Sequence, residues 1–191
     1  MMNQKGEQNF KSRIFIGIPL KEEIRKEIQK QLHNLPGRSV PSEHWHFTLH
    51  FLGPLAEIQI QQLDHCLREI NFGHSFKSSI AHFNAFPNLR SARVVWLGIG
   101  DGIASFTRLA QSLTEALRGQ EFKLEDRDYI PHLTLSRLSK PCNLNRWIKQ
   151  NPFKKIPFQV EEIVVFRSVF PQTGGPPHYE KLFHYPLKNS D

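Results

Sequence analysis

The pattern His-x-Thr-Leu occurs twice in this chain, as His46-Phe-Thr-Leu49 and His132-Leu-Thr-Leu135, with the two histidines 86 positions apart. Each copy lies in a run that reads as a β-strand, Trp45–Leu52 in the first half and Ile130–Arg137 in the second. Side chains at i and i+2 of a strand share a face. His46 and Thr48 therefore point one way, as do His132 and Thr134, while Phe47, Leu49, Leu133 and Leu135 turn toward a core. A strand with apolar residues on one side and His/Thr on the other lines a wet cleft. Two such strands imply two related lobes of roughly half the chain each, facing one another across that cleft. No short period runs through the sequence, which excludes a solenoid.

Two imidazoles and two hydroxyls suit phosphodiester chemistry. A neutral imidazole takes a proton from water, and an imidazolium protonates the departing oxygen. Threonine hydroxyls donate to phosphate oxygens. Histidine serves both roles because its ordinary pKa, about 6.5, lets both forms coexist near neutrality.

The rest of the chain supplies ordinary elements. Arg13-Ile-Phe-Ile-Gly-Ile18 is a short apolar strand. Residues 20–34 carry Leu20, Ile24, Ile28 and Leu32 at steps of four, the mark of an amphipathic helix, closed by Pro36-Gly37. Gly53-Pro54 should end the strand bearing His46, and a second helix is expected at about 56–70. Strands follow at 78–86 and 92–99, then a helix at 103–118 with Phe106, Leu109, Leu113 and Leu117 as its buried stripe. Asn143 should cap a short helix through Lys149. Strands at 159–169 and 179–187 complete the pattern, separated by the Gly/Pro loop Pro171–Pro177. Residues 1–12 read as a flexible start, 13–187 as a single bilobal domain and 188–191 as a tail.

Composition narrows the setting. No stretch is apolar and long enough to span a membrane, and the polar start lacks the apolar core of a secretory signal. Cys66 and Cys142 are the only cysteines, too few for a disulfide framework or a cysteine-based zinc module. A cytoplasmic, monomeric protein with no membrane association is expected. Lys and Arg total 25 against 18 Asp and Glu, a net +7, which agrees with a phosphate-rich partner without identifying one. His44, His46 and His50 share strand parity and invite a metal reading, but no Cys or carboxylate completes a ligand set there. No cofactor or metal is expected, and His44 and His50 are read as cleft-edge or surface residues. Gly98-x-Gly100-x-Gly102 lacks the features of a phosphate loop and reads as a strand-to-helix turn. Cys66 is read as packed. Lys154, Lys155, Arg90 and Arg93 could track an RNA backbone, though surface charge is the commoner explanation for such residues. Phe86, Trp96 and Tyr179 are candidates to stack a terminal base, with core packing the expected place of Trp96.

The paired motifs resemble those of the 2H phosphoesterases, in particular the LigT-like RNA 2′,3′-cyclic phosphodiesterases. The resemblance covers residues 13–187. It includes the opening strand Arg13–Ile18, His46-Phe-Thr-Leu-His-Phe-Leu-Gly53 and Phe86-Pro87 followed by Arg93-Val-Val-Trp96. It continues through Pro131-His-Leu-Thr-Leu-Ser-Arg137 and closes with Phe166-Arg-Ser168, Gly174/Gly175, Tyr179 and Leu182. It implies an α+β fold of two pseudo-symmetric lobes, with antiparallel sheets flanked by helices around a central cleft. It also implies hydrolysis of RNA 2′,3′-cyclic phosphate ends to 2′-phosphates. Carried over, His46 is the proton donor and His132 the proton acceptor, with their roles open to exchange. Thr48 and Thr134 hold the phosphate and Arg137 adds charge, although its strand parity is opposite to that of His132 and Thr134. The same chemistry would serve other 2′-linked or small cyclic nucleotides, or ligation in reverse. A different class altogether is an RNA-binding module without turnover.

Overall fold

The computed structural model describes residues 11–120, 122–124, 128–172, 175 and 177–189. Most of the expected flexible start (residues 1–10), Gly174 and the end of the expected tail (residues 190–191) lie outside the described residues.

The chain runs β1 (Ser12–Pro19), α1 (Glu22–Gln31), β2 (Arg38–Ser39) and, after a single 3-10 turn, β3 (His46–Leu55). It continues through α2 (Glu57–Arg68), β4 (Phe76–Phe86), β5 (Ala92–Ile99) and α3 (Ile103–Leu117). The remainder is β6 (His132–Cys142), α4 (Asn145–Gln150), β7 (Ile156–Val160), β8 (Glu162–Val169) and β9 (His178–Pro186). The apolar residues of α1 and α3 fall where the sequence places them. Ile28 is fully buried in α1, and Phe106, Leu109, Leu113 and Leu117 are buried along α3. Gly102 starts α3 with φ 89°, a left-handed conformation that costs glycine little, so the Gly98–Gly102 segment is the expected strand-to-helix turn.

Three elements differ in extent. The strand at 159–169 is two strands, because the chain changes partners at Glu161, with β7 pairing with β4 before it and β8 pairing with β1 after it. Gly53-Pro54 does not end β3, which pairs with β1 as far as Leu55 opposite Ser12. Asn143 accepts a hydrogen bond from the Asn145 backbone N–H at 3.0 Å, so α4 begins beyond it, with Leu144 at the N-cap.

The fold is α+β, and the strands form one path in the order β7-β4-β5-β6-β3-β1-β8-β9, with β2 beside β6. The two expected sheets are thus wings of one, joined where Phe47 of β3 pairs with Leu133 of β6. These are the middle residues of the two H-x-T motifs. The wing with His132 holds β4 to β7, and the wing with His46 holds β1, β3, β8 and β9. The lobes therefore interleave along the chain rather than dividing it into halves, since β8 and β9 return to the wing begun by β1 and β3.

The helices bind the wings together. α1 leaves the His46 wing to pack on β7, and α3 leaves the His132 wing to pack on β3. The Gln31 side chain fixes the first crossing, donating to the Lys154 carbonyl at 3.0 Å and accepting from the Lys154 N–H at 2.6 Å. Phe47, fully buried, packs against Phe106 of α3 with ring centroids at 5.2 Å and Phe158 of β7 at 5.7 Å. The residue between His46 and Thr48 is thus rooted in the main core.

Candidate active site

Antiparallel pairing of Phe47 with Leu133 fixes the site's geometry. It sets His46 across from Thr134 and Thr48 across from His132, all on the face opposite the core. The four expected residues come together as a two-fold quartet at the join of the wings.

Both motifs then break strand parity at the same place. The β3–β1 register shifts between Ile16↔His50 and Gly17↔Thr48, leaving Leu49 unpaired. The β6–β5 register shifts between Val95↔Ser136 and Trp96↔Thr134, leaving Leu135 unpaired. Each is a β-bulge on the Leu of H-x-T-L. The burial sequence is the same in both, with two consecutive buried residues at Leu49-His50 and Leu135-Ser136.

Two residue placements follow from the bulges. His50 is turned to the core side, 9% exposed, where Nε2 lies 3.0 Å from the Ala110 carbonyl and 2.9 Å from Thr114 Oγ1 on α3. This corrects its expected place at the cleft edge, and His44, His46 and His50 do not share a face. Among the described residues, no group of three or more His, Cys, Asp or Glu is arranged to hold a metal ion. Arg137, by contrast, is brought onto the face of His132 and Thr134, because it pairs with Val94, which shares a face with Trp96, the partner of Thr134. Its guanidinium is near enough to Tyr179 to act on the phenol, opposing the rise in pKa that burial causes there. The parity of a straight strand pointed the wrong way for Arg137, and the extra residue resolves it.

The two imidazoles are held alike. His46 Nδ1 is 2.6 Å from the His44 carbonyl and His132 Nδ1 is 2.7 Å from the Ile130 carbonyl, in each case two residues back. A carbonyl only accepts, so Nδ1–H is the donor in both rings. Nε2 is left as the nitrogen that gains or loses a proton.

Their surroundings differ. His46 stacks on Phe15 at 4.6 Å, meets Tyr179 edge-on at 5.2 Å and lies 5.5 Å from Phe166. Burial against these rings pushes its pKa down to about 4; the His44 carbonyl bond opposes this, and charge on His132 and His44 adds to it. His132 meets Phe86 edge-on at 4.9 Å and Trp96 at 5.8 Å. Trp96 is buried, as expected, but under the cleft face beside His132 rather than in the main core. Phe86 and Tyr179 likewise flank imidazoles.

Phe15 and Phe166 were given no site role by the sequence, because an apolar residue in an apolar strand reads as core. Phe51 was missed for the same reason. It stands five residues after His46, as Arg137 stands five after His132, and it is 47% exposed beside Phe15. The repeat spacing was the signal available for it.

The low pKa of His46 has a consequence for stability. In the unfolded chain a histidine titrates near 6.5, so between about pH 6.5 and pH 4 the unfolded state binds more protons. Stability is present in full above that window and is lost as pH falls through it. With allowance for partial solvent access, the loss at pH 5 is about 1–2 kcal/mol, or about 3–6 °C in Tm. His46→Phe keeps the ring contacts and removes the titration. Its Tm should fall less than that of the wild type between pH 7 and pH 5 by that margin; equal falls would contradict the assignment.

An antiparallel sheet with an H-x-T strand from each wing at its centre is the arrangement that the resemblance to LigT-like two-histidine phosphoesterases implies. The family model of the 2′-5′ RNA ligase superfamily matches residues 19–169, and the chain belongs to that superfamily. Among curated relatives, the RNA 2′,3′-cyclic phosphodiesterase of Archaeoglobus fulgidus is 35% identical over 132 residues, 67% of this chain and 73% of that one. The protein of the same name from Thermotoga maritima is 29% identical over 178 residues, covering 90% of this chain and 93% of the relative. Among solved structures, E. coli LigT in apo form matches with a TM-score of 0.72 and 26% identity over 94% of this chain and 99% of LigT. LigT complexed with 3′-AMP matches with a TM-score of 0.74 and 26% identity over 93% and 98% of the two chains.

Proposed function

We propose that this protein is an RNA 2′,3′-cyclic phosphodiesterase that hydrolyses the cyclic end to a 2′-phosphomonoester by metal-independent acid–base catalysis. The observation that carries the reading is the quartet of His46, Thr48, His132 and Thr134, with both imidazoles presenting the same nitrogen. Water attacks phosphorus and the P–O3′ bond breaks. The base takes a proton from the water and the acid gives one to O3′, so the 3′ oxygen leaves as a hydroxyl. Thr48 and Thr134 donate to the non-bridging oxygens, and Arg137 offsets their charge. The names of the curated relatives support this substrate.

In the assignment taken from the family resemblance, His46 is the donor and His132 the acceptor. His46 must then receive its proton as the anionic substrate enters, since a neighbouring negative charge favours imidazolium. The low pKa of His46 in the unliganded site favours the exchanged roles, with neutral His46 taking the proton from water. Both directions use the same residues and give the same product.

We place the enzyme in the cytoplasm as a monomer, with residues 13–187 acting as one bilobal unit. The unpaired thiols of Cys66 and Cys142 agree with a reducing compartment. No helix among the described residues is long and apolar enough to cross a membrane. Incubation with an RNA oligonucleotide ending in 2′,3′-cyclic phosphate, in the presence of a strong chelator, should convert the cyclic end to a phosphomonoester. A bound but intact cyclic end would make the protein a binding module instead.

A further inference from the structure

Outside the quartet, the cleft face of the His132 wing forms a grid. Its rows, read across β4, β5 and β6 from the strand register, are His82–Gly98–His132, Asn84–Trp96–Thr134 and Phe86–Val94–Arg137. Cross-strand partners share a face, so His82 and Asn84 lie on the same surface as the proposed catalytic residues, two strands away from them. Gly98 is what brings His82 closer. A Cβ on Gly98 would stand 2.5 Å from His82 Nε2 and 2.7 Å from Cε1, so the imidazole lies over the glycine, on the path toward His132. Trp96 contacts both rings, at 6.4 Å from His82 and 5.8 Å from His132. The His82 side chain is solvent-exposed, and the reaction as derived makes no use of it.

The two sides of the quartet are unequal. On the His46 side, Phe15, Phe166 and Tyr179 crowd the imidazole and wall the cleft. On the His132 side, the space that a side chain at Gly98 would fill is taken by the His82 imidazole, with the Asn84 amide on the neighbouring row of the same face. Asn84 Oδ1 already accepts from the Ala85 N–H at 2.8 Å, which leaves its amide NH2 as the group that can donate outward.

We propose that His82, lying over Gly98, binds the phosphodiester that joins the terminal nucleoside to the rest of the RNA, so that β4 supplies a subsite for the preceding nucleotide. The proposal rests on the cyclic phosphodiesterase reading above. A terminal ribose whose cyclic phosphate occupies the quartet carries its next phosphate on O5′. That phosphate is an anion seeking donors, and an exposed imidazole N–H is one.

The test compares three substrates: a nucleoside 2′,3′-cyclic phosphate, the same compound with a 5′-phosphate, and a short RNA with the same cyclic end. The wild type should prefer the two 5′-phosphorylated substrates by kcat/KM. In His82→Ala that preference should fall about tenfold, the effect of losing one hydrogen bond to a charged group. His82→Gln, which keeps a donor at similar reach, should retain most of it. Equal losses on all three substrates would overturn the proposal, as would an unchanged preference. A loss confined to the RNA would also overturn it, by assigning His82 to a base. If the wild type turns over none of the three, it is the phosphodiesterase reading that fails.

Discussion

Replacing either quartet histidine with alanine should cut kcat on an RNA 2′,3′-cyclic phosphate by about 10²–10⁴-fold, the usual worth of a positioned proton-transfer group. The double variant His46→Ala/His132→Ala should fall little further than the worse single variant, because the two residues act in one step. The wild-type profile should be bell-shaped, with limbs that belong to the coupled pair rather than to either ring. Folding is a separate matter for the two variants. His46 packs against Phe15, Phe166 and Tyr179, so His46→Ala is to be read beside His46→Phe, which fills that space. A substrate with sulfur in place of O3′ separates the roles, since a thiolate leaves without a proton. It should rescue the variant that lost the donor and leave the other inactive. Wild-type rates in either single variant would remove the pair from the mechanism.

The next largest effect is expected at the hydroxyls. Thr48→Ala and Thr134→Ala should each lower kcat by about 10–10³-fold, in the range seen when one donor to a developing oxyanion is removed. Each threonine lies across the strand pair from the other motif's histidine, and neither is buried. Thr→Ser at the same positions keeps the hydroxyl and should restore most of the rate, which a loss of packing at the γ-methyl would not allow. The effect should fall on kcat more than on KM if the hydroxyls bind the charge that develops on phosphorus oxygens in the transition state. Equal activity in wild type and Thr→Ala would show that phosphate is held by other groups.

Much of this site was legible because two copies of one pattern occur in the chain. A single His-x-Thr in a strand carries little weight, but a second copy with the same trailing Leu predicted a shared cleft, and the pairing of Phe47 with Leu133 supplies it. The helix stripes were legible for the usual reason, since Phe106, Leu109, Leu113 and Leu117 repeat at the period of a helix. Illegible was whatever depends on one extra residue in a strand. The bulges at Leu49 and Leu135 reverse parity, sending His50 to α3 and Arg137 to the cleft, and nothing in the period-two pattern announces them. The interleaving of the wings was hidden too, because strand partners of β1 lie both nearby in sequence, at β3, and more than a hundred residues away, at β8. The aromatic bed of His46 was hidden by its own composition, since a Phe under a cleft histidine and a Phe in a core look alike in sequence.

The net charge of +7 takes on a narrower meaning in this light. It suits an RNA partner, but the groups proposed to meet the reacting phosphate are two imidazoles, two hydroxyls and one guanidinium. Exposed lysines supply long-range attraction at most, and that attraction weakens with salt.

The most direct measurement is the identity of the product. An RNA oligonucleotide with a 2′,3′-cyclic phosphate end, incubated with the protein and analysed for the position of the resulting monoester, should yield a 2′-phosphate and a free 3′-hydroxyl. A 3′-phosphate would contradict the account by showing that O2′, not O3′, is the oxygen protonated as it leaves.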